Sequence, residues 1–263
     1  MADPVLYEVR AGRAWITLNT PENHNALSQP LCEGLLAAVE RAQADPAARM
    51  IVLTGVGKTF CAGADLKGGG GGAVDKAPPQ QRDATAHHPP FVRAIRGLWE
   101  SPKPVIGRIQ GNAFGGGLGL IAVCDFAICV DTLRVAFTEV RLGLAPSIIS
   151  VFVLRKMALP DVGRYFLNGE RLTAEEAQRM KLIDQVVPAA GLDAAVERQC
   201  DALMACGPKA LQEVKRLLRT VPTLSVDEGL AWAQAKNQVL FNSEEGREGM
   251  AAFAAKRKPR WAP

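Results

Sequence analysis

Three strand-length runs with continuous apolar cores constrain this chain more than any other feature: MIVLTGV (50–56), KPVIGRI (103–109) and FAICV (126–130). A strand with one wet face alternates apolar and polar residues. A continuous apolar run instead fits a strand covered on both faces, as in parallel sheets flanked by helices. Ahead of these runs, VLYEV (5–9) and AWITLN (14–19) flank RAGR and predict a hairpin. The segment NALSQPLCEGLLAAVERAQADP (25–46) predicts a helix with Ser28 as N-cap and Pro30 in the first turn, and Leu31, Leu35, Leu36 and Val39 follow at helical spacing. Residues 68–90 carry five glycines and then APPQQRDATAHHPP, a Pro-rich stretch without periodicity that predicts a surface loop or lid. From residue 148 onward the pattern is mainly helical, with SVDEGLAWAQAKNQVLFN (225–242) the clearest case. The fold class expected is α/β with repeating crossovers.

Composition narrows the function classes. The chain has 263 residues, of which 48% are hydrophobic and 22% charged, values ordinary for a globular protein with a sizeable core. The net charge of +4 comes from basic residues spread along the chain until KRKPR (256–260), and aromatics make up only 6%. A nucleic-acid binder would show a basic stripe with interleaved aromatics, so no nucleic-acid partner is expected. Six cysteines (Cys32, Cys61, Cys124, Cys129, Cys200 and Cys206) form no CxxC pair and no zinc spacing, and read as reduced thiols. No apolar run approaches the ~20 residues that cross a bilayer. MADPVLYEV lacks the layout of a signal peptide. A cytoplasmic protein with no membrane partner is expected.

Several motif-like stretches fail on spacing. GVGKT (55–59) has Val52 where a phosphate-binding loop needs its first glycine, and GGGLG has Leu120 where a dinucleotide fingerprint needs its last. No G-x-S-x-G elbow is present. His87 and His88 are adjacent and His24 sits in a turn, so no metal site is expected. What remains are two small-residue turns, each following a buried strand: TFCAGADL (59–66) and GNAFGGGLGL (111–120). Either alone is simply a tight connection. Together they suggest two exposed backbone N–H groups converging where parallel strands end, the geometry of an oxyanion hole.

FCAGADL, GNAFGGGLGL and EVRLGLAP (139–146), in that order, resemble the enoyl-CoA hydratase/isomerase (crotonase) superfamily. The likeness extends from NHNALS (23–28) to RLTAEEAQRMKLIDQVV (171–187) and FAAKRKPRW (253–261). It implies a spiral of strand-strand-helix units over residues 1–200 and a helical C-terminal region, 201–263, that serves in oligomerisation and covers coenzyme A. A homotrimer or homohexamer is implied. So is an acyl-CoA thioester substrate, with no cofactor beyond the coenzyme A it carries. The resemblance makes the N–H groups of Ala64 and Gly116 the oxyanion donors, with Gly116 left bare so that no side chain blocks the thioester. Ala62 would lie by the adenine, and Lys256 and Arg257 either by the phosphates or in a plain solvated tail. Asp65, Leu66, Phe114, Gly115, Leu118, Gly119 and Leu142 would line the substrate, with Val140 and the 68–90 loop as further walls.

Proton chemistry falls to Glu139. Hydratases of this superfamily use two glutamates, and the position of the other is Gly119 here, a gap. An ion pair of Glu139 with Arg141 or Arg134 is the plainer alternative for that residue. With one carboxylate, hydration of an enoyl-CoA and isomerisation of a 3-enoyl-CoA both remain open, as does a non-catalytic acyl-CoA binder. On chemistry alone isomerisation leads, because a single glutamate can take a proton from C2 and return it at C4. GGGLGL with TEVRLGLAPSIISVFVLRKM is similar to the hydratases of branched, carboxylated substrates, the methylglutaconyl-CoA and carboxygeranoyl-CoA hydratases. Hydration of such a substrate is therefore the expectation.

Overall fold

The computed structural model describes residues 2–66 and 88–263, so most of the predicted 68–90 loop, including His87, lies outside the described residues. The chain opens with β1 (Val5–Arg10) and β2 (Arg13–Leu18), paired antiparallel in register from Val5–Leu18 to Arg10–Arg13. Ala11 and Gly12 between them both have positive φ, 48° and 74°, which suits the right-handed twist of a two-residue hairpin. Helix α1 (Gln29–Ala44) follows, with Ser28 at its N-cap although no side-chain cap bond forms. Leu31, Leu35 and Val39 are buried along one face, as the spacing predicts.

From here the chain repeats one device. The second turn is β3 (Met50–Gly55), β4 (Thr59–Cys61) and α2 (Pro90–Glu100). The third is β5 (Val105–Ile109), β6 (Asn112–Phe114) and α3 (Gly116–Ala122). The fourth is β7 (Phe126–Val130), β8 (Arg134–Ala136), a 3₁₀ turn over Thr138–Leu142 and α4 (Ser147–Lys156). Then come α5 (Leu159–Asn168), β9 (Leu172–Thr173), α6 (Ala174–Arg179), β10 (Gln185–Val187) and α7 (Leu192–Met204).

The first strand of each later turn joins a six-stranded sheet in the order β1-β2-β3-β5-β7-β10, and the second joins a four-stranded sheet in the order β4-β6-β8-β9. Pairing from β2 through β10 in the large sheet is parallel, and so is β4-β6-β8 in the small one. This is the α/β spiral of strand-strand-helix units that was expected. Every residue of β3 is buried, consistent with a strand covered on both faces. Parallel pairing also brings the C-terminal ends of β4, β6 and β8 side by side, so the segments after Cys61, Phe114 and Ala136 become neighbours.

Two compact units are present: Met1–Ser101 with Val105–Val196, and Pro102–Pro104 with Glu197–Pro263. The second contains α8 (Pro208–Thr220), α9 (Val226–Phe241) and α10 (Glu244–Ala254). Helix α9 begins on a capping box in which Ser225 accepts from the Glu228 N–H and the Glu228 carboxylate accepts from the Ser225 N–H. Among the described residues no helix is long and apolar enough to cross a membrane.

Candidate active site

The first element is the extended segment after β4. The Ala62 N–H donates to the His24 carbonyl (3.1 Å), and the Leu27 N–H donates to the Gly63 carbonyl (2.8 Å). In a trans peptide the C=O and the following N–H point in opposite directions. With the Gly63 carbonyl turned to Leu27, the Ala64 N–H points away from it, and Ala64 is exposed. That N–H takes no partner among the described residues. The segment is braced by Asn25, fully buried at φ +54°. Its amide donates to the carbonyls of Val56 (3.0 Å) and Thr59 (2.9 Å), and its Oδ1 accepts from the Thr20 N–H (2.8 Å).

The second element is the glycine triplet after β6, where each glycine answers a different neighbour. Gly115 has φ +49° and ψ −119°, a conformation open to glycine, and its N–H donates to the Ala136 carbonyl (3.1 Å). Gly117 lies where an added Cβ would stand 2.7 Å from the Cys61 carbonyl oxygen, so α3 can rest on β4 only without a side chain. Gly116 is bare for a reason other than the one expected: an added Cβ would run into the Leu27 Cδ1 methyl and stand 3.4 Å from Phe91 Cζ. Protein, not open space for a thioester, occupies that direction. The Gly116 N–H itself begins α3 and has no carbonyl four residues back to accept from it; it is unpartnered among the described residues. The two segments touch, since an added Cβ on Gly63 (φ +84°) would fall 2.8 Å from the Phe114 carbonyl oxygen.

The third element is Glu139, in the 3₁₀ turn after β8, whose carbonyl accepts from the Leu144 N–H (3.0 Å). Its carboxyl lies over Gly115: an added Cβ there would stand 3.2 Å from Oε1 and 3.5 Å from Cδ. Oε2 is buried and has no hydrogen-bond partner among the described residues. Burial pushes the carboxyl above its ordinary pKa, and a hydrogen bond from its own backbone N–H offsets part of that. The ion-pair alternative falls away. Arg141 Nε donates to the Asn168 carbonyl (3.4 Å) and Arg134 Nη1 to the Leu133 carbonyl (2.8 Å), and Glu139 makes no salt bridge among the described residues.

Gly119 is not a gap. An added Cβ would overlap the γ2 methyl of Ile149 and stand 3.0 Å from both Ile149 Cβ and Ile95 Cδ1. Hydrocarbon from α4 and α2 fills the place. Leu118 is likewise not an open wall, being fully buried. Ala62, Asp65 and Val140 are partly buried, and Leu66 and Leu142 are exposed. Phe114 is partly buried with the Arg171 guanidinium 5.9 Å from its ring centre. In the second unit Lys256 is exposed, whereas the Arg257 guanidinium is engaged by both Glu248 carboxylate oxygens (2.7 and 3.0 Å). That pair holds Glu248 down at about 2. The residues that sequence reading missed are the supports: Asn25, Leu27, Phe91 and Ile149. NHNALS drew notice as a motif, but nothing local to it shows which residue reaches β4.

No group of three or more His, Cys, Asp or Glu among the described residues could hold a metal ion. Cys61, next to the first segment, is buried and its thiol is pushed up to about 12, so it is no nucleophile. Two adjoining segments that present uncommitted N–H groups, beside a buried carboxyl of raised basicity, form a site that can hold a developing oxyanion and move a proton next to it.

Residues 8–263 match the family model for enoyl-CoA hydratase/isomerase, and the chain belongs to that family. Among its relatives, a carnitinyl-CoA dehydratase of Salmonella arizonae is 34% identical, with 94% of this chain and 93% of that protein covered. An (E)-benzylidenesuccinyl-CoA hydratase of Thauera aromatica is 30% identical over 97% of this chain and 98% of its own. The crystal structure of an enoyl-CoA hydratase from Shewanella pealeana superposes with a TM-score of 0.88 at 32% identity, covering 98% of this chain and 96% of that one.

Proposed function

We propose that the protein is an enoyl-CoA hydratase in which Glu139 is the sole acid/base. The observation that carries this reading is the Glu139 carboxyl packed on Gly115, next to the unpartnered Gly116 N–H. The thioester carbonyl accepts from the Ala64 and Gly116 N–H groups. The Glu139 carboxylate takes a proton from water as the hydroxide oxygen bonds to C3. The C2=C3 π electrons move onto the thioester oxygen, and the enolate rests on the two N–H donors, each typically worth about 3–4 kcal/mol in such a transition state. Collapse of the enolate takes the proton from Glu139 to C2, so water has been added and the carboxylate restored. A pKa above the ordinary range suits a group that must both accept and return that proton near neutrality.

The substrate we favour is a branched, carboxylated enoyl-CoA, in keeping with the succinyl-bearing thioester named for the Thauera relative. Self-association as a trimer or hexamer accords with the exposed apolar side chains Leu142, Leu144, Ile148, Val151 and Leu154. Lys256 remains the better of the two tail residues for a coenzyme A phosphate, since Arg257 is already paired. One observation favours a second reading, isomerisation of a 3-enoyl-CoA: Ile149 fills the place at Gly119 with hydrocarbon and offers nothing to hold a water. The purified protein, given 3-methylglutaconyl-CoA, crotonyl-CoA and 3-hexenoyl-CoA in turn, is followed by enoyl absorbance. Loss of absorbance with the first or second supports hydration. Turnover of the third alone transfers the reaction to isomerisation, and binding without turnover of any removes the enzymatic reading.

A further inference from the structure

Gly119 lies four residues, about one helical turn, after Gly115, the N-cap of α3, so the start of this helix offers two bare positions a turn apart. At the first it receives the Glu139 carboxyl, and at the second it receives Ile149. Ile149 is buried in the first turn of α4, and the chain leading into that helix is the one that carries Glu139. The connection is short and held: the Leu144 N–H donates to the Glu139 carbonyl (3.0 Å) and the Ser150 N–H to the Pro146 carbonyl (2.9 Å). α4 therefore cannot back away from α3 without drawing on the segment that places the carboxyl. Close packing transmits such shifts, since interiors have few voids to absorb them.

We propose that Gly119 and Ile149 are positioning residues for Glu139: their contact seats α4 against α3 and so holds the carboxyl over Gly115. The proposal rests on the reading of Glu139 as the acid/base. It also accounts for the absence of a second acid. Where that side chain would stand, the γ2 methyl of Ile149 fixes the position of the remaining carboxyl. Neither residue needs to touch substrate.

The test compares Gly119→Ala, Ile149→Ala and the double variant with wild type, using steady-state kinetics on crotonyl-CoA and 3-hexenoyl-CoA and circular dichroism to check folding. Gly119→Ala inserts the methyl that the contact excludes. It is expected to lower kcat by about tenfold or more, because small displacements of a catalytic group carry losses of that order. KM should stay within about twofold, since the thioester donors are not moved. Ile149→Ala unseats α4 and should act in the same direction. The double variant restores a methyl between the helices from the other side and should be more active than either single variant. If Gly119→Ala does not fold, the comparison of the double with Ile149→Ala carries the same test. Single variants with wild-type kcat, or a double variant no better than the weaker single, overturn the proposal. Glu139→Gln assayed in parallel separates the two readings: unchanged activity there overturns the role of Glu139 itself, whatever the Gly119 series shows.

Discussion

Substituting Gly115 by alanine tests, in one methyl group, whether the Glu139 carboxyl is placed by contact with the glycine loop. At φ +49° and ψ −119° the backbone lies outside the wells of an L-residue, and alanine there is strained by about 1–3 kcal/mol. Its Cβ would also arrive 3.2 Å from Oε1 of Glu139, closer than ordinary van der Waals contact, and 3.5 Å from Cδ, which is ordinary contact. The carboxyl must then retreat by roughly a few tenths of an ångström to reach the usual separation. Against a typical total stability of about 5–15 kcal/mol, the strain leaves the variant folded but with a lower urea midpoint. A misplacement of about 1 Å can lower a rate about a hundredfold, so a few tenths of that predicts a kcat loss of roughly fourfold. Urea unfolding followed by circular dichroism gives the first quantity, and steady-state turnover of crotonyl-CoA or 3-hexenoyl-CoA gives the second. A destabilised variant with wild-type kcat would refute the argument that Gly115 seats the carboxyl, and a variant equal to wild type in both would refute the strain as well.

Glu139→Gln should lower kcat by about 10²–10⁴-fold while acyl-CoA binding, measured by calorimetry, persists. The same variant should melt higher than wild type at neutral pH. Burial raises the folded-state pKa of Glu139, so its contribution to stability is full below the unfolded carboxylate value and is lost as pH rises through the folded one. Melting curves across that range should show the advantage of Gln vanish in acid, and a constant advantage would contradict a buried charge as its cause. Asn25→Ala leaves the Thr20 N–H and the Val56 carbonyl without Asn25 and the Thr59 carbonyl with only the Gln110 amide (3.2 Å), and should destabilise by about 2–3 kcal/mol in urea. An unchanged midpoint would show that these bonds do not brace the segment. A thiol reagent at pH 8 should modify Cys206, which is exposed, and spare Cys61, whose buried thiol is pushed up to about 12. Fast labelling of Cys61, located by peptide mass, would contradict the packing of α3 on β4.

The hairpin, α1, β3, β5, β7 and α9 could be read from sequence because each carries its own pattern. Apolar runs mark doubly covered strands, and Leu31, Leu35 and Val39 recur at helical spacing. The four-stranded sheet was not legible, because β4, β6 and β8 have three residues each and β9 two, too few to show a period. The site divides in the same way. That GGG needs bare backbone follows from glycine alone, but its three causes lie in Glu139, in Leu27 with Phe91, and in Cys61, all distant in sequence. Resemblance supplied Glu139. What faces Gly119 lies thirty residues further on, in α4, and no local pattern links the two.

The filling of that place by Ile149 has a consequence for how the site titrates. Two carboxyls sharing a pocket disturb each other, and their protons leave in coupled steps that belong to the pair. Here α3 carries no second carboxyl, and the pKa of Glu139 is raised by burial, with its own backbone N–H as the opposing influence. Its proton is therefore lost in one step, at a pH above the ordinary carboxylate range. In hydration the ionised form accepts the proton of water, so kcat/KM should rise with pH along a single limb of unit slope and then level off. Wild type assayed from pH 4.5 to 8 on its best acyl-CoA substrate gives the curve. Two ionisations on the acid side, or a limb centred at the value of a free carboxylate, would show that Glu139 does not work alone in a buried position.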